Sequence, residues 1–353
     1  MGDFYQNGII TTLHNLADRP VEVLESELVA FSQQRPLGLI LPSLFSELQG
    51  EALPNILDEL TRVPYLCEVV IGLDRADQAQ YREALGFFDR LPQRHRVLWN
   101  DGPRLQALDK KLQELDLAPR ELGKGRNVWY CMGYTLASGR AESVALHDCD
   151  ILTYDRGLLA RLIYPVAHPR FNYEFCKGYY ARIAHGKING RVSRLLVTPL
   201  LRALKKTLGE MEYLNFMDSF RYPLAGEFSF RRDVLNDILI PSDWGLEIGV
   251  LSEMYRNYAN NRLCQADIAD VYDHKHQELS PEDDQGGLSK MSIDISKALF
   301  RKLATRGVTF NTETFRSLKA TYYRIALDFV ETYHNDAIMN GLKLDVHGEE
   351  KAV

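Results

Sequence analysis

Short apolar runs recur along this chain, each separated from the next by sequence patterned for a helix. That alternation narrows the fold more than any other feature. Residues 37–41 (LGLIL), 66–73 (LCEVVIGL), 96–99 (RVLW) and 144–146 (VAL) read as buried strands. Residues 48–60, a stretch ending at Phe88, and segments opening at Arg104 and Gly125 carry apolar residues at near-helical spacing. Such alternation predicts an α/β fold built on a doubly wound, mostly parallel sheet. Pro42 is expected to stop the first of these strands. Residues 1–35 read as a helical preface, with a helix over 21–31.

Beyond Asp155 the pattern changes. Residues 171–181 (FNYEFCKGYYA) alternate and read as an antiparallel or edge strand, and 186–190 as a loop. Residues 191–208 and 244–258 read as helices and 263–272 as a last strand. Residues 278–288 (ELSPEDDQGGL) have the composition of a linker. Two amphipathic helices, 291–306 and 312–335, follow, suited either to a homodimer interface or to covering the chain's own core. Residues 341–353 are expected to fray.

The bulk numbers exclude some functions. With 353 residues, 45% apolar and 25% charged, the chain is long enough and ordinary enough for a substantial core. A net charge of −6 argues against a general nucleic-acid or anionic-membrane surface, so an anionic ligand needs a local positive pocket or a metal. The five cysteines are odd in number and form no C-x-x-C pair, which argues against a zinc ribbon or disulfide framework and for a reducing compartment. The start of the sequence lacks a basic segment followed by an apolar one, and no run reaches membrane-spanning length. The expectation is a soluble, cytoplasmic protein.

Candidate chemistry concentrates at strand ends, where open α/β sheets bind ligands. The run 142–152 (ESVALHDCDIL) carries an apolar strand straight into His147, Asp148, Cys149 and Asp150. In extended backbone Asp148 and Asp150 point the same way, roughly 7 Å apart at about 3.3 Å per residue. One can hold a divalent cation while the other works nearby, although D-x-D is also a common solvated loop end. The Gly123-Lys124-Gly125 turn opens a helix suited to a diphosphate, or is an ordinary helix entry. His274 and His276 follow the last strand and are metal-ligand candidates across from Asp150, or a surface loop. Glu247 sits among apolar helix neighbours, which makes it either paired or functional. Gly226-Glu227 (in AGEF) sits at the end of an apolar strand and is a site candidate there, or is a turn glycine followed by an edge charge. Gly190, Arg191 and Ser193 combine backbone amides, a guanidinium and a hydroxyl at a helix start, a pattern suited to phosphate or carboxylate, with Lys177 and Arg182 adding charge.

These pieces occur in a telling order: LILPSLFSEL (39–48), VVIGLDRAD (69–77), GKG (123–125), HDCDI (147–151), GRVSRLLVTPLL (190–201), AGEFSFRRDVL (225–235), WGLEIGVL (244–251) and DVYDHKH (270–276). Over roughly residues 37–280 the chain resembles the retaining glycosyltransferases of the glucosyl-3-phosphoglycerate synthase type and their mannosyl relatives. The resemblance implies a GT-A-like doubly wound mixed sheet with a helical C-terminal extension. Its parts would be a preface (1–35), a nucleotide-sugar half (36–155), an acceptor half of the same domain (156–280) and the extension (281–353). It implies transfer of a hexose from a UDP- or GDP-sugar to the 2-hydroxyl of 3-phosphoglycerate with Mg²⁺, Mn²⁺ or Co²⁺. Pro42, Ser43, Leu44, Glu47 and Asp74 would line the nucleotide pocket, and Lys124 the diphosphate. Asp148 would hold the ribose or sugar, and Asp150 and His274 the metal. Gly190, Arg191 and Ser193 would hold the acceptor, and Glu227 and Glu247 would line the hexose. Asp148 and Glu247 carry the catalytic assignment.

Three departures stand out. An acid-rich family run reads IGLDRAD here, with Gly72 in place of its first acid. The family's cradle threonine is Ser193, and an asparagine in its first loop is Phe45. The loss at Gly72 leaves the choice of base open and motivates a second reading, a non-catalytic nucleotide-sugar-binding protein. A sugar nucleotidyltransferase is a distant third, because LPSLFSEL lacks its glycine-rich loop.

Overall fold

The computed structural model describes residues 6, 8–119, 122–241, 245–274 and 287–353. The linker 278–288 lies almost wholly outside the described residues, and His276 and Trp244 lie outside them. Among the described residues ten strands are formed: β1 (Thr11–Leu13), β2 (Leu37–Leu44), β3 (Leu66–Asp74), β4 (His95–Trp99), β5 (Ser143–Leu146), β6 (Phe175–Tyr180), β7 (Ile183–Ala184), β8 (Lys187–Ile188), β9 (Phe228–Arg231) and β10 (Leu263–Ala269). Eight of them make one sheet in the order β1-β10-β6-β9-β5-β2-β3-β4, and β7-β8 is a separate hairpin. Neighbours in the large sheet pair in parallel except at β9, which runs antiparallel to both β5 and β6. The sheet is therefore mixed and doubly wound, as the alternation predicts.

Several local expectations change. Pro42 does not end β2, which continues to Leu44. Pairing with β5 stops at Ile40, so the strand has an open edge at Pro42, the kind of place where sheets accept proline. The alternating run around Phe175 is an interior strand, buried at every residue between β10 and β9. Thr11–Leu13, within the expected helical preface, is a strand parallel to β10, and three residues are too few to show a period. The expected loop 186–190 contains β8, and the stretch expected to fray contains a helix, Val346–Ala352.

Helices cover both faces. Val21–Ser32 and Arg156–Ala167 pack with one apolar cluster that includes Leu28, Leu39, Leu57, Ile71 and Leu162. Lys124–Ser138 and Thr198–Leu208 join the other, with Ile40, Val128, Leu146, Leu201 and Phe228. The helices Gly287–Ala304 and Thr312–Met339 bury Ile295, Leu299, Leu318, Ile325 and Val330, all but Val330 being part of that second cluster. Each such side chain contributes about 1.5–3 kcal/mol when fully withdrawn from water. The C-terminal helices thus cover their own chain's core. Among the described residues, no helix is long and apolar enough to cross a membrane. All five cysteines are free thiols.

Candidate active site

The carboxyl ends of β2, β3, β5, β6 and β10 reach one edge of the sheet, and β9, running the other way, starts there. A cavity of about 680 Å³ opens along this edge. Pro42, Ser43, Leu44 and Glu47 line it from the end of β2 and the short helix after it, and Asp74 from the end of β3. Lys124 enters from the first turn of its helix, and Asp148 and Asp150 from just beyond β5. Gly190, Arg191 and Ser193 line it where the chain enters a π-helical turn, Val192–Val197. Glu247 and His274 complete the expected set that lines the cavity.

Asp150 and His274 converge. Nδ1 of His274 lies 3.7 Å from Oδ2 of Asp150. The approach is fixed by backbone: Ile151 and His274 form an isolated antiparallel bridge, and Leu152 N–H donates to the Asp273 carbonyl at 2.9 Å. Burial, and then the neighbouring Asp148, push the Asp150 carboxyl up to about 7. A carboxylate held in this way gains strongly from a cation. Among the described residues, no group of three or more His, Cys, Asp or Glu is placed to hold a metal. One carboxylate and one imidazole suit a Mg²⁺- or Mn²⁺-like ion that takes its remaining ligands from substrate phosphates and water.

Lys124 sits between two acids, with Nζ 2.6 Å from Oδ1 of Asp148 and 3.2 Å from Oε1 of Glu247. Burial disfavours its charge, but Asp148 and Glu247 outweigh that and hold the ammonium well above its ordinary range. Burial likewise works against ionised Asp148, and Lys124 reverses it, so this carboxyl lies below its usual value. Lys124 draws both carboxyls of D-x-D down, but only at Asp148 does it outweigh burial; at Asp150 burial and the Asp148 charge prevail. Gly226 makes the arrangement fit: a Cβ there would lie 2.4 Å from Oδ2 of Asp148 and 2.9 Å from Nζ of Lys124.

Glu227 corrects the reading of the sequence. It is fully buried and does not line the cavity. Its carboxylate accepts hydrogen bonds of 2.6 Å from the Tyr180 and Tyr272 hydroxyls, whose rings stack at 3.6 Å and form part of the cavity wall. Side chains on either side of Gly226-Glu227 alternate as extended chain enters β9, which turns Glu227 inward. Lys177 is also buried off the cavity, donating to the Ala225 carbonyl, and burial pushes its ammonium down to about 8.

Gly72 has a local explanation. A Cβ there would lie 1.7 Å from Oδ1 of Asn127, whose Nδ2 donates to the Gly72 carbonyl at 2.8 Å. Asn127 lines the cavity and occupies the space an acid at position 72 would need. Sequence reasoning missed Asn127, the aromatic wall of Tyr180, Tyr222 and Tyr272, and Lys290, Met291 and Ile295, which a C-terminal helix sends into the cavity. Tyr180 ends β6 and Tyr272 follows β10 by three residues, which is a usable signal. Lys290 gives none, because an amphipathic helix does not announce which groove it enters.

No family model matches the sequence. A glucosyl-3-phosphoglycerate synthase of Persephonella marina is 46% identical over 353 residues, spanning 100% of this chain and 87% of the relative. The chain belongs to the glucosyl-3-phosphoglycerate synthase family. A second member, from Methanococcoides burtonii, is 38% identical over 99% of the chain and 85% of its own length. The Mycobacterium tuberculosis synthase in complex with Mn²⁺, UDP-glucose and phosphoglyceric acid superposes with a TM-score of 0.61 at 19% identity, covering 86% of this chain and 89% of that one. The same enzyme with Mg²⁺ and UDP gives 0.59 at 20% identity over 83% and 86%. At such identity these structures establish the shared fold, the GT-A-like sheet that the sequence predicted. As a glucosyl-3-phosphoglycerate synthase family member the chain is a glycosyltransferase, which removes the non-catalytic reading.

Proposed function

We propose that this enzyme moves glucose from a nucleoside-diphosphate donor to the 2-hydroxyl of 3-phosphoglycerate with retention of anomeric configuration, using a Mg²⁺- or Mn²⁺-like ion. The observation that carries the reading is the meeting of Asp150 and His274 in the same cavity as Lys124 and a separate anion cradle. The cradle has the chemistry of an acceptor site. Ser193 Oγ is buried without a hydrogen-bond partner while its residue lines the cavity, and Arg191 stands two residues away. A buried hydroxyl left unpaired is costly, and a phosphate or carboxylate oxygen would satisfy it.

Bound between Asp150 and His274, the ion would act as a Lewis acid on the departing diphosphate. Lys124 adds fixed positive potential from the first turn of its helix, worth most where water is excluded. Asp148 holds the Lys124 ammonium at 2.6 Å and fixes where that charge lies. Glu247 lies 3.2 Å from the Lys124 ammonium, lines the cavity and would accept from donor hydroxyls. Among the described residues the carboxylates that line the cavity are Glu47, Asp74, Asp148, Asp150 and Glu247, each already paired or assigned. Attack by the acceptor hydroxyl on the face the diphosphate leaves, with the departing oxygen taking the proton, needs positioning more than a strong base. The rigid cradle at Gly190, Arg191 and Ser193 supplies that positioning.

The test is a grid of donors (UDP-glucose, GDP-glucose, GDP-mannose) against acceptors (3-phosphoglycerate, glycerate), with Mg²⁺ or chelator. Metal-dependent release of nucleoside diphosphate with a glucose donor and 3-phosphoglycerate is the expected result. Equal turnover on glycerate, or turnover in chelator, would overturn the acceptor or the metal assignment. Five free thiols suit a reducing, cytoplasmic setting.

A further inference from the structure

The acceptor cradle is held from behind by the last described segment of the chain. Arg194, the residue after Ser193, is buried and makes a bidentate ion pair with buried Glu349, at 2.9 and 2.5 Å. Its Nε donates to the carbonyl of Asn189 at 2.9 Å, and its guanidinium lies 4.8 Å from the centre of the Tyr333 ring. Asn189 precedes Gly190 directly, so Arg194 bridges the two sides of the cradle backbone. A second tie lies at the hairpin. Lys343 N–H donates to the Gly186 carbonyl at 2.8 Å, and Lys187 and Lys343 form a parallel bridge. The Tyr322 hydroxyl also donates to the Leu195 carbonyl at 2.9 Å.

We propose that residues 343–352 act as a strap that sets the acceptor site, with Glu349 a positioning residue for 3-phosphoglycerate. The strap is tied to Arg194, Gly186, Lys187 and Ile188. It fixes the loop 186–191 and the first turn after it, so its effect falls on the acceptor and not on the donor. A rigid cradle matters because small misplacements of reacting groups cost large factors in rate. Arg194 cannot lose its charge, so the anion opposite it determines where the guanidinium and the Asn189 carbonyl settle.

This inference rests on the reading of Gly190, Arg191 and Ser193 as the acceptor cradle, and the controls separate the two. Glu349→Gln removes the charge and keeps the shape. Lys343→Pro removes the donor to Gly186 at an independent point. Steady-state kinetics on both, with Arg191→Ala alongside, should show acceptor KM raised on the order of tenfold or more in each strap variant. Donor KM should stay near wild type. If Arg191→Ala raises acceptor KM and neither strap variant does, the strap is wrong and the cradle stands. If Arg191→Ala leaves acceptor KM unchanged, the cradle reading itself fails. Equal rises in donor and acceptor KM, or loss of the folded state in both strap variants by circular dichroism, would make the segment a fold element and also overturn the proposal.

Discussion

The imidazole of His274 lies 3.7 Å from the carboxylate of Asp150, although they stand 124 positions apart in the chain. The Ile151–His274 bridge and the Leu152–Asp273 hydrogen bond bring the ends of β5 and β10 together. The pairing is thus a property of the sheet edge.

That geometry makes metal binding pH-dependent. In the metal-free protein the Asp150 carboxyl is pushed up to about 7 by burial and by Asp148. A raised carboxyl contributes its stability fully below its unfolded value, and that contribution is lost as pH rises through about 7. The ion restores stability in that upper range, where it no longer competes with a proton. Mn²⁺ titrations should therefore show affinity falling as pH drops below 7, approaching tenfold per unit, with proton release on binding. Calorimetry in buffers of different ionisation enthalpy would check this. Affinity independent of pH between 6 and 8 would contradict it.

Lys124→Met removes the cation between Asp148 and Glu247 and leaves both carboxylates uncompensated. The expected outcome is a fall in kcat on the order of 10²–10³, the usual scale for removing a fixed charge that stabilises a leaving group. Single-turnover kinetics with the glucose donor measure it. A loss confined to acceptor KM would place this lysine wrongly.

Gly226→Ala tests the close approach beneath that lysine. Its Cβ would stand 2.4 Å from Oδ2 of Asp148, so the Asp148–Lys124 pair must move. The protein should fold, with an unchanged circular dichroism spectrum, while kcat/KM falls on the order of 10²-fold. Wild-type kinetics would show that the pair's position does not matter.

Glu227→Ala should act on stability. The fully buried carboxylate accepts from two tyrosine hydroxyls, and its loss leaves both unpaired. At about 1–3 kcal/mol for each of the two orphaned groups, urea unfolding should show a loss of about 2–6 kcal/mol. A variant as stable as wild type would mean that the tyrosines find water or other partners.

What was legible in the sequence follows from periodicity and from charge at strand ends. Val144–Leu146 running into two aspartates marks a strand end whatever the family, and the sheet was readable for the same reason. Glu227 reads in the sequence as the end of an apolar strand, whereas it directly precedes β9, and the sequence does not show which way the extended chain turns its carboxylate. Strands β1, β7 and β8 have two or three residues each, too short to carry a period. The Arg194–Glu349 pair spans 155 positions, and neither partner stands out locally. Pairings at that range belong to tertiary packing, not to local pattern.

The most direct test of the central claim is pulsed electron paramagnetic resonance of Mn²⁺ bound with nucleoside diphosphate, read for coupling to a histidine nitrogen. The expected result is a clear imidazole ¹⁴N coupling in the wild-type enzyme that disappears in His274→Ala. No nitrogen coupling in the wild type, or one that persists in the variant, would mean that the ion lies elsewhere.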